Sequence, residues 1–380
     1  MWTGDCGVSS VPLSSRQSEA NPVERPIGLA VALTSLCNQG CRYCFNAFEH
    51  LRRQALPTEE LLGLLERARS EVTLERVTLA GGEPFAYEGL YRTLEYCSER
   101  GLPTCLISNA TMITREAARL VATFGSLSSV QITLNGPDAD IHDAEVGLPG
   151  AWGKTLRGID ELQKHGVCIV GCIVLTRRTA SLVGATLDRF QSLGIRAVSV
   201  SRFLSAGVSA HNLDLIPARK DLLEALTQAD LRASAGMAVD VGGPIPPCLV
   251  EHERFPNIAV SGCPIGTSSQ NFALGTDGHL RNCFAFGPSL GDVRSHSFAE
   301  LVRIPRASYR RRAPKFCRGC TELGRCLGGC GAAALAITGR PNSLDPIVLQ
   351  HVNAGFAARV REARERTPLD VPVSTHVVGP

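Results

Sequence analysis

Three cysteines near the start of the chain have the spacing best suited to chemistry. Cys37, Cys41 and Cys44 are arranged as C-x3-C-x2-C and follow an apolar run, residues 28–36, that is typical of a strand. Thiolates this close together can hold an iron–sulfur cluster, and a cubane cluster has four irons, so one iron would have no protein ligand. The pattern therefore predicts a reactive iron at the end of a strand.

A second group of cysteines lies near the other end of the chain. Cys317, Cys320, Cys326 and Cys330 are spaced C-x2-C-x5-C-x3-C. Taken alone, four thiolates would suit a structural zinc ion as well as an iron–sulfur cluster. The chain has 15 cysteines, and in a reducing compartment a high and odd count indicates metal binding or catalysis more than a disulfide framework.

The composition is that of an ordinary globular protein. Hydrophobic residues make up 44% and charged residues 20% of the sequence, and the net charge is only +3. This balance gives no reason to expect a nucleic acid or an anionic membrane as the main partner. The longest apolar runs are too short to span a membrane, and residues 1–26 lack the apolar segment of a secretory signal, so we expect a cytoplasmic protein.

Strand-like and helix-like segments alternate from residue 27 onward. Such alternation predicts parallel βαβ units, as in a partial (β/α) barrel or an open doubly wound sheet. The apolar strand-like runs are 27–34, 75–80, 103–108, 129–134, 167–175 and 195–203. The helical patterns are Thr58–Ser70, Tyr87–Arg100, Thr114–Phe124, Trp152–His165, Leu182–Leu193 and a segment that begins near Pro217.

Polar and glycine-rich motifs follow the first four predicted strands. The first three cysteines follow the first strand, Gly81–Pro84 follows the second, Ser108 and Asn109 end the third, and Asn135 follows the fourth. In both candidate architectures the active site lies at the carboxyl ends of the strands. We therefore expect all of these motifs on one rim of the sheet.

The two motifs C-x3-C-x2-C and Gly-Gly-Glu-Pro, in this order and context, resemble those of the radical S-adenosylmethionine (SAM) superfamily. The resemblance covers residues 27 to about 210. It implies an α/β fold, a partial (β/α)6 TIM-like barrel. It also implies that Cys37, Cys41 and Cys44 hold a [4Fe–4S] cluster whose fourth iron is chelated by the amino and carboxylate groups of SAM.

The same resemblance implies a set of residues around the cofactor. Tyr43 would lie by the adenine, and Glu83 would accept a hydrogen bond from the amino group of the cofactor. Ser108 and Asn109 match a position that usually reaches the ribose or the carboxylate. The full set implied to bind the cofactor is Tyr43, Gly81, Gly82, Glu83, Pro84, Ser108, Asn109 and Asn135.

One departure from the related sequences falls after the fourth strand. They often have Asp-Gly-Pro followed by His-Asp-x-x-Arg-Gly, whereas this chain has Asn135-Gly136-Pro137 and then His142 to Gly147 with Val146 in place of the arginine. From sequence alone, His142 and Asp143 are typical of a turn more than of a catalytic pair. No residue is singled out as a general base.

The C-terminal cysteines resemble the SPASM extension of radical SAM enzymes, a small Cys-rich domain with one or two auxiliary [4Fe–4S] clusters. By this resemblance Cys263, Cys283 and Cys330 belong to the first auxiliary cluster, and Cys317, Cys320 and Cys326 to the second. Val348 occupies the position of the usual last cysteine, so Asp345 or His351 would replace it or an iron would stay open. Cys248 is the candidate to complete the first cluster.

These patterns predict four segments. They are a flexible tail at 1–26, the radical SAM partial barrel at 27–236, the SPASM-like auxiliary-cluster domain at 237–350, and a helix and tail at 351–380.

The resemblance favours modification of a peptide or protein side chain, by oxidation or crosslinking. The alternative is a dehydrogenase, epimerase or deoxygenase acting on a small molecule such as an aminocyclitol or sugar. A non-catalytic cluster protein is disfavoured because both cofactor motifs are intact. Since only about 26 residues precede the first strand, a peptide substrate would need a separate recognition protein or would bind without one.

An electron donor is the other expected partner. A flavodoxin- or ferredoxin-type protein is acidic, and the basic run Arg310-Arg311-Arg312 could attract it. The simpler interpretation is that this run is a hydrated surface without a specific partner.

Overall fold

The computed structural model describes residues 26–46, 55–267, 269–303 and 313–352. Three predicted features lie outside these ranges. They are the N-terminal tail up to residue 25, the basic run Arg310–Arg312 and the helix predicted at Asn353–Arg366.

Six parallel strands form the centre of the fold, as the alternating pattern predicts. They are β1 (Ile27–Thr34), β2 (Leu74–Gly81), β3 (Thr104–Ser108), β4 (Leu127–Thr133), β5 (Ile169–Leu175) and β6 (Ala197–Arg202). They pair in sequence order, each parallel to the next. The right-handed crossovers between such strands are made by helices.

Within the described ranges, seven helices follow these strands, and six of them occupy predicted places. They are α1 (Thr58–Glu71), α2 (Leu90–Glu99), α3 (Arg115–Val121), α4 (Ala139–Val146), α5 (Ala151–Lys164), α6 (Val183–Ser192) and α7 (Arg219–Ser234). A helix over 139–146 was not expected, because the sequence favoured a turn there. The signals were present, since the Asp138 side chain accepts a hydrogen bond from Ile141 N at 3.1 Å and Gly147 ends the helix at a φ of +67°.

The sheet extends beyond the six predicted strands. The short strands β7 (Ala238–Gly242) and β8 (Ala259–Val260) continue it after β6, while β9 (Asn271–Leu274) pairs parallel with β1. Two antiparallel strands, β10 (His279–Arg281) and β11 (Gly291–Asp292), complete the order β11-β10-β9-β1-β2-β3-β4-β5-β6-β7-β8. The expected α/β partial barrel is confirmed, and sequence reasoning missed the later strands because they are only two to five residues long.

The main core lies between the sheet and the helices. Leu79, Ile132 and Ile173 on the strands and Leu65 and Phe190 on the helices are completely buried in it. Each such side chain contributes roughly 1.5–3 kcal/mol by leaving water. All eight residues of β1 are buried, which explains why this strand reads as one apolar run without alternation.

The C-terminal region contains short helices separated by loops. They are α8 (Phe298–Leu301), Leu323–Cys326, Gly331–Thr338 and Pro346–Val352. None of the helices in the described part of the chain is long and apolar enough to cross a membrane.

Candidate active site

The loop that carries the first three cysteines is held by main-chain hydrogen bonds on two sides. Gly40 N donates to Val146 O at 3.0 Å, which ties the loop to the end of α4. On the other side Ser209 N donates to Cys44 O at 2.8 Å, and the Asn212 side chain donates to Arg42 O at 2.8 Å. The cysteine loop after β1 is therefore bonded to segments that follow β4 and β6, on the predicted rim.

The surroundings of the thiols in this loop favour the protonated form of Cys41 unless a cation is bound. Cys37 is exposed, whereas Cys41 and Cys44 are half-buried. Burial raises the pKa of Cys41 well above its usual value, and the thiols of Cys44 and Cys37 raise it further. Bound iron reverses this preference, because a coordinating thiol loses its proton.

The arrangement does not suit a single metal ion. Within the described residues, no three His, Cys, Asp or Glu side chains are grouped closely enough to hold one ion. A mononuclear zinc site needs its ligand atoms about 2.0–2.3 Å from a common centre. Within the described residues, the three thiols of this loop therefore form no preformed site for a single ion.

Gly81 and Gly82 allow the ends of β1 and β2 to approach each other. Gly81 has a φ of +122°, and a Cβ on it would lie 2.6 Å from Thr34 O, while a Cβ on Gly82 would overlap the carbonyl group of Leu36. The same contact carries hydrogen bonds from Gly82 N to Thr34 O and from Glu83 N to Leu36 O, at 2.6 and 2.7 Å. These glycines are thus required to hold the cysteine loop against β2.

Glu83 joins the ends of β2 and β3. Its side chain is 1% exposed, and its carboxylate accepts hydrogen bonds from Ser108 Oγ at 2.7 Å, Asn109 N at 2.9 Å and Phe85 N at 3.1 Å. Burial raises the pKa of Glu83, and these three donors oppose the shift. The sequence indicated a contact with the cofactor, but in the structure most of the acceptor capacity of this carboxylate is used within the protein.

Asn109 connects the end of β3 with the cysteine loop. Its side-chain nitrogen donates to Asn38 Oδ1 at 2.8 Å and lies 4.0 Å from Cys37 Sγ. Asn38 in turn donates to Thr111 Oγ1 at 2.8 Å, and Thr111 donates to Asn109 Oδ1. The structure therefore brings the predicted Asn109 within contact distance of the first cysteine.

Asn135 and His142 form a buried polar pair after β4. Asn135 N donates to His142 Nδ1 at 3.2 Å, and Asn135 Oδ1 accepts from Val174 N at 2.8 Å. Both residues are at most 1% exposed, yet Asn135 Nδ2 and His142 Nε2 have no hydrogen-bond partner in the protein. Buried polar atoms are nearly always paired, so these two atoms are available to a ligand.

Glu145 is a site residue that the sequence did not indicate. It is 0% exposed, and its carboxylate forms an ion pair of 2.9 Å with Arg178 Nε, although neither oxygen accepts a well-aligned hydrogen bond. Burial raises the pKa of Glu145, whereas Arg178 and Arg42 act in the opposite direction. The neighbouring Val146, at the position where related sequences have arginine, is 1% exposed and packs in the interior. No local pattern indicates this pair, because Arg178 follows a different strand, β5.

Tyr43 lies inward of the cysteines. Its ring packs against the main core, and its hydroxyl is close enough to Cys41 to oppose the rise in the pKa of that thiol. Burial raises the pKa of Tyr43, and Cys41 raises it further. The side chain therefore supports the cysteine loop from within.

The C-terminal cysteines form two separate groups. In the first group, Cys283 and Cys330 belong to one apolar cluster with Phe286. Burial raises the pKa of Cys283 to about 12, and the charges of Cys330 and Cys263 add to the shift. The structure therefore brings together the three cysteines predicted for the first auxiliary site.

The second group lines a cavity of about 260 Å³. Cys317, Cys320 and Cys326 face it together with Cys248, and the remaining wall is mainly apolar. The sequence assigned Cys248 to the first group, but the structure places it in the second, because its loop after β7 lies over the short helix Leu323–Cys326.

Asp345 is occupied by other contacts. Its two carboxylate oxygens accept from Arg202 Nη1 at 2.7 Å and Nη2 at 2.9 Å, and they also accept from Cys330 N and Ile347 N. The expectation that Asp345 replaces the missing cysteine does not agree with this arrangement. The carboxylate neutralises a buried guanidinium, and Asp345 does not line the cavity.

Comparisons with known proteins agree with the motifs and the fold. Residues 31–190 match the family described as the Radical SAM superfamily. The PqqA peptide cyclase of Methylocella silvestris is 26% identical over 85% of this chain and 87% of its own length. The AdoMet-dependent heme synthase of Nitratidesulfovibrio vulgaris is 24% identical over 84% of this chain and 91% of its own length.

Solved structures share the architecture at lower identity. SuiB of Streptococcus suis, bound to the precursor peptide SuiA, superposes with a TM-score of 0.68 at 18% identity, covering 85% of this chain and 75% of SuiB. At this identity the similarity establishes the fold alone.

Proposed function

Because residues 31–190 belong to the radical SAM superfamily, a family that binds a [4Fe–4S] cluster and SAM, we propose that Cys37, Cys41 and Cys44 are the cluster ligands of this chain. The observation that carries the proposal is the mutual bonding of the cysteine loop, Glu83 and Asn109. Side-chain and main-chain hydrogen bonds of 2.7–2.9 Å join them at one rim.

The residues expected to bind the cofactor are proposed to act partly through the rim and partly by direct contact. When bound, the cluster and SAM supply a 5′-deoxyadenosyl radical that removes a hydrogen atom from the substrate. Ser108 and Glu83 position Asn109 at the cluster loop, and Asn135 Nδ2 is a buried donor free to bind the cofactor. Gly81, Gly82 and Pro84 shape the rim, and Tyr43 supports Cys41.

The substrate we propose is a peptide or protein whose side chain is oxidised or crosslinked. The PqqA peptide cyclase matches this chain along most of both lengths, and SuiB, solved with its precursor peptide, has the same fold. A separate peptide-recognition protein would present such a substrate.

The auxiliary cysteines are proposed to hold one or two further [4Fe–4S] clusters. Removal of a hydrogen atom followed by oxidation leaves one electron to be passed on, and low-potential clusters can accept it. A flavodoxin- or ferredoxin-type protein in a reducing cytoplasm would supply electrons to the first cluster. Segment 237–350 is proposed as the auxiliary-cluster domain that covers the barrel 27–236.

The cluster assignment is tested by anaerobic reconstitution of the full chain with iron and sulfide. The native protein is expected to form 5′-deoxyadenosine from SAM with a strong reductant, and SAM is expected to change the electron paramagnetic resonance (EPR) spectrum of the reduced cluster. The triple variant Cys37→Ala/Cys41→Ala/Cys44→Ala should lose both properties, while Cys105→Ser, at a cysteine on β3 outside the three groups, should keep them. A triple variant that still cleaves SAM would overturn the proposal.

The substrate class is tested separately. Short peptides encoded beside the gene are incubated with the reconstituted enzyme and analysed by mass spectrometry. Loss of two hydrogens from one peptide, absent without SAM, is the expected result. A product only from a small molecule would contradict the peptide assignment and leave the radical chemistry intact.

A second candidate function is a radical reaction on a small molecule. The similarity to the AdoMet-dependent heme synthase supports it, because that relative is named for a small-molecule product and matches over a comparable share of the chain. Dehydrogenation, epimerisation or deoxygenation of an aminocyclitol or sugar belongs to this class.

A further inference from the structure

Four thiols, not three, surround the cavity in the C-terminal region. Cys248, Cys317, Cys320 and Cys326 all line its volume of about 260 Å³. The cavity therefore has room for a group larger than one water molecule, with four thiols in its wall.

Three of these thiols come from one compact turn. Cys320 N donates to Cys317 O at 3.2 Å, and Cys326 N donates to Glu322 O at 2.8 Å. Gly328 has a φ of +86°, and a Cβ on it would lie 3.6 Å from Cys317 Sγ. The chain therefore folds back closely around the cavity.

The fourth thiol is carried by a loop that is fixed on both sides. Before Cys248, Arg202 Nη1 donates to Pro244 O at 2.6 Å and His252 Nε2 contacts Ile245 O at 2.9 Å. After it, Arg219 Nε donates to Leu249 O at 2.7 Å. Hydrogen bonds within the protein thus fix the loop that carries Cys248.

The position that related sequences use for the last cysteine is filled by an apolar side chain. Val348 is 2% exposed and lines the same cavity as the four thiols. Of the two expected replacements, Asp345 is bonded to Arg202, and His351 is exposed at the surface and does not line the cavity.

We infer that Cys248, Cys317, Cys320 and Cys326 form a complete four-thiolate site for an auxiliary iron–sulfur cluster, with Cys248 replacing the cysteine that Val348 displaces. The inference rests on the proposed function. Its consequence is that Cys263, Cys283 and Cys330 form a three-thiolate group whose cluster would keep one iron without a cysteine ligand. With Cys248 assigned to the second auxiliary site, the first site, and not the second, has only three cysteine ligands.

The test uses the full chain reconstituted anaerobically in the background Cys37→Ala/Cys41→Ala/Cys44→Ala, which leaves only the C-terminal groups. This background should bind about eight irons per chain, two clusters of four. Adding Cys248→Ala should lower the iron content by up to about four per chain or shift the EPR spectrum of one cluster. Cys248→Ser serves as a second variant of nearly unchanged volume, and Cys105→Ser is the control.

A rescue variant makes the test specific. Cys248→Ala/Val348→Cys places a thiol back in the same cavity and should restore the iron content and the spectrum. The inference is overturned if Cys248→Ala and Cys248→Ser leave both unchanged. It is also overturned if they abolish the cluster that Cys263→Ala abolishes, or if the purified protein holds zinc in this site. Because no SAM cleavage is measured, failure here is distinct from failure of the radical mechanism.

Discussion

The guanidinium of Arg202 binds both carboxylate oxygens of Asp345, at 2.7 and 2.9 Å, with the two side chains 1% and 0% exposed. Arg202 ends β6, and Asp345 immediately precedes the helix Pro346–Val352. The pair also reaches Pro244 O and Cys330 N, at 2.6 and 2.7 Å. One ion pair therefore joins the barrel to backbone beside both C-terminal cysteine groups.

Removal of one partner of this pair should strongly destabilise the protein. Arg202→Ala is expected to lower the free energy of unfolding by about 3–5 kcal/mol, because an unpaired buried carboxylate remains. Urea denaturation of the cofactor-free protein measures the change. Arg92→Ala, in an exposed pair with Glu95, should change stability by less than about 1 kcal/mol. Equal effects of the two substitutions would show that the buried pair is not structural.

Glu83→Gln should destabilise the rim even though the two side chains have nearly the same shape. The carboxylate accepts hydrogen bonds from Ser108, Asn109 and Phe85. In Gln the NH2 group would replace one carboxylate oxygen and would face one of these three donors without forming a hydrogen bond. We expect a loss of about 1–3 kcal/mol in the free energy of unfolding. The exposed Glu88 on the same loop provides the control Glu88→Gln, which should be neutral. If Glu83→Gln is equally neutral, the carboxylate does not hold the strand ends.

Gly82→Ala should separate the cysteine loop from β2. A Cβ at this position would overlap the main chain at Leu36, whereas a Cβ at Gly40, between the cysteines, would meet nothing within 4 Å. Gly82→Ala is therefore expected to lower the melting temperature and to reduce iron bound after reconstitution, and Gly40→Ala is not. Iron analysis and thermal denaturation of the two variants in parallel give the comparison. The same iron content in both would contradict the close approach.

His142 should make stability depend on pH. Burial lowers its pKa from 6.5 to about 4, so the unfolded chain binds a proton at a pH where the folded protein does not. This contribution to stability is complete above pH 6.5, is lost progressively as the pH falls, and is gone by about pH 4. The loss amounts to about 3 kcal/mol.

The His142 contribution is isolated by comparing the wild type with His142→Asn. Unfolding is measured with urea between pH 7 and 4. As the pH falls, the wild type should lose more free energy of unfolding than the variant, which has no imidazole at this position. Parallel profiles would show that the imidazole titrates normally.

The elements that surround the site could be predicted, whereas the contacts between distant segments could not. The cysteine spacing and Gly81–Pro84 identify the rim because their chemistry depends on local sequence. The grouping of Cys248 with Cys317, separated by 68 intervening residues, depends on how a loop after β7 crosses the Cys-rich region, and no local pattern encodes this. Glu145 was missed for the same reason, since its partner Arg178 lies after a different strand.

The cysteine loop is attached to its neighbours mostly through main-chain atoms, at Gly40, Cys44, Val146 and Ser209. Most side chains in residues 139–147 and 204–212 can therefore be exchanged without breaking these attachments, whereas insertions or deletions would displace them. The exceptions are Gly147 and Gly207, where a Cβ would meet the main chain of the cysteine loop, and Asn212, whose side chain donates to Arg42 O. Substrate choice can accordingly change, in nature or by engineering, through residue replacements on these two segments. Changes in their length would displace the cysteine loop. This rim of the sheet thus combines a fixed backbone with side chains that can vary at most positions of the two segments.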